Sequence, residues 1–440
     1  MKKYTTGLCL LSTLFFTSVS GFANSRDNEC HVPALAKCPH PIDRAYPNVK
    51  VMLTWSQSER LLGFRNDYRS YPGDVFHAVN PRVLERDVQN LADITYQLKG
   101  MTYRLEDYIK RNNVTALMVI KQGKVIFEYY GQGNTKETLW TSRSVGKSVV
   151  STLVGIALQE GKITSLDDNI IKYNPNVKGT AWEGVTVRQL LQHTSGVEWG
   201  EDYEKLDSDF AKMTECEANP DVYKCVEQLV VNPKRESYAK PGEVWSYSSG
   251  GAWLLGDSLE KATGVSLAQY LESKIWQPFG MTSDGVWQSY ELGKHNVGAH
   301  GFNATLEDWG KFGLFIANNG VLDNGKKILP ENWVGEAKNW VQAKNSINDI
   351  YPEGIYGFEW WNNSVPQKAQ DVEPKTGLDS QNTLWAIGIF GQFIVVNPKE
   401  QLVIAQWSTW PVAYPAEDGQ SLEASLIYNA INNHLNKMAN

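Results

Sequence analysis

The sequence predicts an α/β (α+β) fold. One antiparallel sheet takes strands from both ends of the chain, helices flank it, and a mostly helical stretch is inserted between the two halves. Three observations predict this. Residues 116–120 (ALMVI) and 124–130 (KVIFEYY) are strand-like runs, and Gln122-Gly123 between them is hairpin chemistry. Residues 385–391, 392–398 and 401–407 bring further strand-like runs near the other end of the chain. Between these groups, apolar residues recur at helical spacing, most clearly over 145–158 and 253–262.

The chain has 440 residues, enough for one large domain or two intimate ones. Residues 1–23 read as a signal peptide: Lys2 and Lys3, then an apolar run from Leu8 to Val19, then Gly21-Phe22-Ala23 as a cleavage site. That run is short for a membrane span and no later run approaches one, so the mature protein is expected to be exported, periplasmic or secreted, with no transmembrane segment. Without Lys2 and Lys3 the mature chain holds 40 basic and 49 acidic residues, a net charge of −9. An acidic balance with no basic tract argues against nucleic acid as a partner. Four cysteines remain after Cys9 leaves with the signal. They pair most simply as Cys30–Cys38 and Cys216–Cys225, although three connectivities are possible. Neither spacing suits zinc, no H-E-x-x-H occurs, and no metal is expected. The 16 tryptophans and 20 tyrosines read first as large core residues and second as the lining of an apolar cleft.

In chain order, residues 24–54 form an extended arm and 55–81 are irregular. Residues 98–112 read as an amphipathic helix leading into the hairpin. Next comes the stretch around which the chain is organised, residues 140–163, WTSRSVGKSVVSTLVGIALQEGKI. Ser144 and Lys147 stand three residues apart, ahead of Val149, Val150, Leu153, Val154, Ile156, Ala157 and Leu158. That spacing is a buried helix face, on which side chains at i and i+3 lie one above the other. A serine hydroxyl is a weak nucleophile until a base removes its proton. Burial disfavours a charged lysine and makes a neutral amine available for that task. The helix N-terminus adds backbone N–H groups where an oxyanion would develop.

S-x-x-K alone is a weak signal. Ser237/Lys240 and Ser258/Lys261 match it too, but the first runs into the turn residues Pro241-Gly242 and the second sits mid-helix, where Lys261 should be solvated. Gly146-Lys147-Ser148 resembles the end of a phosphate-binding loop, but the position of its first glycine is Thr141, which excludes nucleotide binding on that motif.

His193-Thr194-Ser195-Gly196 closes a short helix, and a histidine there reads as a capping or core hydrogen-bonding residue before a catalytic one. Residues 197–245 are a long polar excursion of the kind that forms binding loops or lids. Tyr247-Ser248-Ser249 then opens the 253–262 helix, and a tyrosine hydroxyl near a Ser–Lys pair can relay a proton. Tyr68-Arg69-Ser70 has the same spacing without a helix behind it. Residues 303–319 read as another helix, 342–383 as polar loop containing Lys375-Thr376-Gly377, and 421–435 as a closing helix.

Taken in order, S144-x-x-K147, Y247-x-S249 and a glycine-containing strand at Gly388 resemble the serine β-lactamase and penicillin-binding-protein superfamily. They resemble most its class C-like branch, which holds esterases and 6-aminohexanoate-dimer (nylon oligomer) hydrolases. The likeness runs from about Trp55 almost to the C-terminus and takes in SQSERLLGFRN, SVGKSVVSTLVGIALQEGKI, VTVRQLLQHTSGV, PGEVWSYSSGGAWLLGDSLEKATG, FNATLEDWGKFG, YGFEWW and GIFGQFIVVNP.

The resemblance implies a β-lactamase/transpeptidase-like fold over 55–440, with 55–164 and 300–440 as its α/β part and 165–299 as the helical insertion. It implies a serine hydrolase that cleaves a small amide or ester and uses no cofactor. Ser144 would be acylated, Lys147 would be the general base, and Tyr247 would help to protonate the leaving group. Backbone N–H groups of Ser144 and Ile389 would form the oxyanion hole. Ser249 would support the network, and Tyr203 and His300 would border the substrate. Penicillin-recognising relatives carry Lys or His where this chain has Ala386, which weakens a β-lactamase or D-alanyl-D-alanine peptidase reading. A binding protein on a borrowed fold is disfavoured by the intact triad. The absence of any G-x-S-x-G disfavours an α/β-hydrolase.

Overall fold

The computed structural model describes residues 47–439 except 70–71, 218, 339–342, 344–355, 363–377, 379–381 and 414–418. The expected signal peptide, the expected Cys30–Cys38 pairing and Lys375-Thr376-Gly377 lie outside the described residues. Among the described residues the strands run in chain order β1 (Gly73–Phe76), β2 (Thr95–Leu98), β3 (Met101–Arg104), β4 (Val114–Lys121), β5 (Lys124–Tyr130), β6 (Trp140–Thr141), β7 (Gly285–Glu291), β8 (Lys294–Asn296), β9 (Phe302–Ala304), β10 (Leu384–Gly388), β11 (Gln392–Asn397) and β12 (Leu402–Ser408). The helices are α1 (Gln57–Phe64), α2 (Leu105–Arg111), α3 (Val145–Gln159), α4 (Val187–Leu191), α5 (Asp209–Cys216), α6 (Val222–Val230), α7 (Ser249–Thr263), α8 (Leu267–Leu271), α9 (Leu306–Ala317), α10 (Trp333–Lys338) and α11 (Gln420–Ala439).

The central sheet has the order β10-β11-β12-β4-β5 and is antiparallel throughout, so the two ends of the chain meet as β12 against β4. Gln122 (φ 52°) and Gly123 (φ 77°) make the tight turn of the β4–β5 hairpin, the left-handed pair that matches strand twist. Every residue of β4 is buried. Its alternate side chains enter two different cores: Leu117 and Val119 meet Tyr428 and Ile431 of α11, whereas Met118 and Ile120 join the core that holds α3 and α9. Burial on both faces explains why β4 reads as an unbroken apolar run.

Helix α3 lies at the centre of the larger core, with every residue from Val145 to Ala157 buried. Each fully buried valine, leucine or isoleucine there contributes about 1.5–3 kcal/mol relative to exposure. Eleven tryptophans are among the largest fully buried side chains, so most of them serve as core residues.

A second sheet has the order β1-β7-β9-β6, with β8 pairing β7, and it was not foreseen. Its strands are short, and it draws β7 and β8 from the 165–299 stretch read as helical. Two other readings need correction. The 98–112 segment begins as strand β3, which pairs with β2 around Lys99 (φ 50°) and Gly100 (φ 76°), and only Leu105–Arg111 is helical. Within the supposedly irregular 55–81, α1 is a capped helix: Ser56 accepts from the Glu59 backbone while the Glu59 carboxylate accepts from the Ser56 backbone.

Candidate active site

Strand β6 pairs with β9 through Trp140↔Ala304 and Thr141↔Asn303, and Ser142 still donates to the Phe302 carbonyl at 2.8 Å. The chain then turns through Arg143 at φ 45°, a left-handed conformation costly for a side chain with a Cβ. That turn is held by the buried Asp67 carboxylate, 3.4 Å from the Arg143 guanidinium, and by the Phe64 ring beneath it at 4.7 Å. Ser144 follows as the N-cap of α3. A strand-to-helix turn thus presents its hydroxyl at the start of a buried helix.

One turn on, Lys147 is 2% exposed, and its Nζ lies 2.9 Å from Ser144 Oγ and 2.9 Å from the Ala299 carbonyl. Burial pulls its pKa below the usual lysine value, while the Glu201 and Glu359 carboxylates partly oppose that pull. A carbonyl only accepts, so Ala299 must take an N–H. The lone pair of a neutral amine is then available to receive the Ser144 hydroxyl proton.

Tyr247 comes from the segment ahead of α7, and its ring centre lies 5.1 Å from Lys147 Nζ. Its ring stacks against Trp361 at 5.7 Å and against His193 at 4.5 Å. His193 is a core hydrogen-bonding residue, joined to Glu359 at 2.8 Å. Two residues later, Ser249 donates from both its backbone N–H (2.9 Å) and its hydroxyl (2.6 Å) to the Glu201 carboxylate. Glu201 also accepts from Trp199 Nε1 at 2.5 Å and from the Tyr203 hydroxyl at 2.9 Å. The polar excursion is thereby fastened to the first turn of α7. The same excursion carries the Cys216–Cys225 disulfide, which joins α5 to α6 with a Cα–Cα distance of 5.5 Å.

Strand β10 forms the edge of the central sheet beside Ser144. Trp385 exchanges backbone hydrogen bonds with Trp361, at 2.6 and 2.9 Å, on the side away from β11. Backbone N–H groups alternate sides along an antiparallel strand. Ile387, and Ile389 just past the strand end, therefore face that same edge. Gly388 permits the approach: a Cβ there would lie 2.7 Å from the Ser142 carbonyl oxygen. Ala386 points instead into the core, opposite Ile394, fully buried.

Ser144 opens onto a cleft of about 240 Å³ walled by Trp245, Tyr247, Trp361, Ile387, Ile389 and Trp410. Glu201 and Tyr203 also border it. Behind Ser144 is a chamber of about 20 Å³ that touches Arg143, Lys147, Ser249, His300 and Ile389. Burial, with help from the Arg143 cation, pushes the His300 pKa down to about 3 and keeps its imidazole neutral. The structure thus brings Ser144, Lys147, Tyr247, Ser249, Tyr203, His300 and Ile389 around one point. Sequence reasoning missed Glu201, Glu359 and the Ala299 carbonyl. The two carboxylates sit in polar loops with no periodicity, and nothing in a backbone carbonyl is legible from residue type.

The sequence model of the Beta-lactamase family matches residues 105–425. A 6-aminohexanoate-dimer hydrolase from Paenarthrobacter ureafaciens is 24% identical over 344 residues, covering 75% of this chain and 82% of that protein. A Beta-lactamase from Escherichia coli (strain K12) is 24% identical over 347 residues, covering 68% and 85%. A solved structure from Bacillus anthracis, described as a 6-aminohexanoate-dimer hydrolase, superposes with a TM-score of 0.72 at 22% identity, over 87% of this chain and 96% of that one. The family match spans the α3 turn, Tyr247 and the β10 edge, which are the parts that meet at Ser144, and the chain belongs to the Beta-lactamase family of hydrolases.

Proposed function

We propose that the protein is an exported serine hydrolase that cleaves a small amide or ester through an acyl-enzyme on Ser144. The observation that carries this reading is Lys147: buried, lowered in pKa, and 2.9 Å from the Ser144 hydroxyl. Lys147 takes the hydroxyl proton as Ser144 attacks the scissile carbonyl. The backbone N–H groups of Ser144 and Ile389 receive the developing oxyanion. Tyr247 carries a proton to the departing amine or alcohol, and water then attacks the ester of Ser144 to release the acid and restore the site.

The aromatic walls of the cleft suit an apolar acyl group. Ala386 supplies no cation for a substrate carboxylate, which counts against a β-lactamase and leaves an amidase or esterase as the reading. The test is intact-mass spectrometry with a fluorophosphonate. We expect one adduct on the wild type and none on Ser144→Ala, together with complete loss of turnover. Full labelling of Ser144→Ala would refute the nucleophile. An adduct formed with a penicillin as well would move the reading toward β-lactam chemistry. Export is tested by the mass of the secreted chain, which should begin after Ala23.

A further inference from the structure

His193 makes an unusual set of contacts around Tyr247. Its backbone carbonyl accepts from the Ser246 N–H at 2.9 Å, and its ring Nδ1 accepts from the Ser248 N–H at 3.1 Å. The residues on either side of Tyr247 are therefore both tied to one histidine, whose ring also stacks on the Tyr247 ring at 4.5 Å and 29°. An Nδ1 that accepts must leave the ring proton on Nε2. Nε2 faces the Glu359 carboxylate at 2.8 Å, and the same carboxylate oxygen accepts from the Tyr356 hydroxyl at 2.6 Å. His193 and Glu359 are both fully enclosed, with side-chain exposures of 1% and 0%.

The clamp is anchored on every side. His193 (φ 52°) and Glu359 (φ 56°) both hold left-handed backbone conformations, which persist only where the surroundings dictate them. The Glu359 N–H donates to the Leu191 carbonyl at 2.9 Å, and its own carbonyl accepts from Ser148, the neighbour of Lys147 on α3, at 2.6 Å. One side-chain network therefore ties the helix that carries the base to the segment that carries the tyrosine.

We infer that His193 and Glu359 are positioning residues that set the Tyr247 hydroxyl for proton delivery to the leaving group. Glu359 fixes the imidazole tautomer, and the imidazole fixes Tyr247. This rests on the hydrolase reading proposed above, and it predicts a defect confined to reactions whose leaving group needs a proton. The probes are two hexanoyl esters with the same acyl group, one of p-nitrophenol and one of ethanol. The phenolate leaves without help, whereas the alkoxide does not.

His193→Asn tolerates the left-handed backbone but lacks the ring stack and the contact to Glu359. It should lower kcat on the ethyl ester at least about tenfold more than on the nitrophenyl ester. Glu359→Gln keeps an acceptor for Nε2–H and should stay within about twofold of wild type in that ratio. An unchanged ratio in His193→Asn, in a variant still labelled by the fluorophosphonate, would overturn the inference. Absence of labelling in the wild type would instead overturn the parent reading. Equal losses on both esters would assign His193 a purely architectural role and would also overturn it.

Discussion

Two Ser-x-x-Lys pairs on long helices of this molecule have opposite fates. Ser144 caps α3, and Lys147 sits below it with a carbonyl and the serine hydroxyl as its hydrogen-bond partners. Ser258 lies inside α7, where its hydroxyl donates to the Leu254 carbonyl at 2.6 Å in the previous turn. Lys261 pairs directly with Asp257 and also reaches Asn174 at 3.1 Å. Far from being simply solvated, as its place in a polar-faced helix suggested, its ammonium is engaged by a carboxylate. Mid-helix, a serine spends its hydroxyl on the backbone, and here the lysine spends its hydrogen bonds on a carboxylate and an amide. At a helix start backed by an apolar core, neither happens. The motif acquires chemistry from its position in the fold.

The sharpest break of this comparison is Lys147→Arg against Lys261→Arg. A guanidinium stays charged, so the first should lower kcat by about 10²–10⁴-fold with no recovery at high pH. The second keeps the contact with Asp257 and should leave kcat unchanged. Both are read from steady-state rates across a pH series.

The pH profile itself comes next. The active form is the neutral amine, so kcat/KM should rise with pH through the Lys147 pKa, at a midpoint below 10.5. Stability should move the same way. In the unfolded chain the lysine holds its proton up to about 10.5, whereas the folded one releases it earlier, so between those two values the unfolded state binds more protons and unfolding becomes harder as pH rises. Glu201→Gln removes a carboxylate that opposes the shift, and the activity limb should move to lower pH. A limb that stays in place would show that Glu201 acts only as a tether.

A smaller effect is expected at Gly388→Ala. Its Cβ would press on the Ser142 carbonyl and push the β10 edge away from Ser144. We expect a loss of about tenfold or more in kcat, given that a lost oxyanion donor costs about 10²–10³-fold, with fluorophosphonate labelling slowed to match. The smallest effect belongs to Ser258→Ala. It should change stability by about 0.5–1.5 kcal/mol in chemical denaturation and leave turnover untouched.

The parts of the fold that sequence reading reached are those with long, regular patterns. The β4–β5 hairpin announces itself through Gln122-Gly123, and α3 through its unbroken apolar face. The second sheet does not, because β6 has two residues and β9 three, too few for any periodicity to register. The β2–β3 hairpin was lost because Lys99-Gly100 is a less familiar form of the same left-handed turn. In the site, Ser144, Lys147 and Tyr247 were singled out by residue type and by the apolar helices that follow them, and the fold brings them together. Glu201 and Glu359 were not, since a loop carboxylate looks the same in sequence whether it faces water or packs near Lys147. Tyr203 and His300 could be named only through resemblance, and it is the fold that gathers them.

The topology also bears on when activity can begin. Strand β4 lies between β5, which follows it at once, and β12, which is made only near the end of the chain. The edge that brings Ile389 to Ser144 belongs to the same late block. A ribosome adding about 5–20 residues per second needs tens of seconds to travel from one to the other. From the synthesis of Tyr247 until β10 and β12 are made, the nascent chain carries its serine, its lysine and its tyrosine but no assembled site. On the proposed function, reactivity would be switched on only once the late strands are made, and a product truncated before β10 should be inert toward fluorophosphonate.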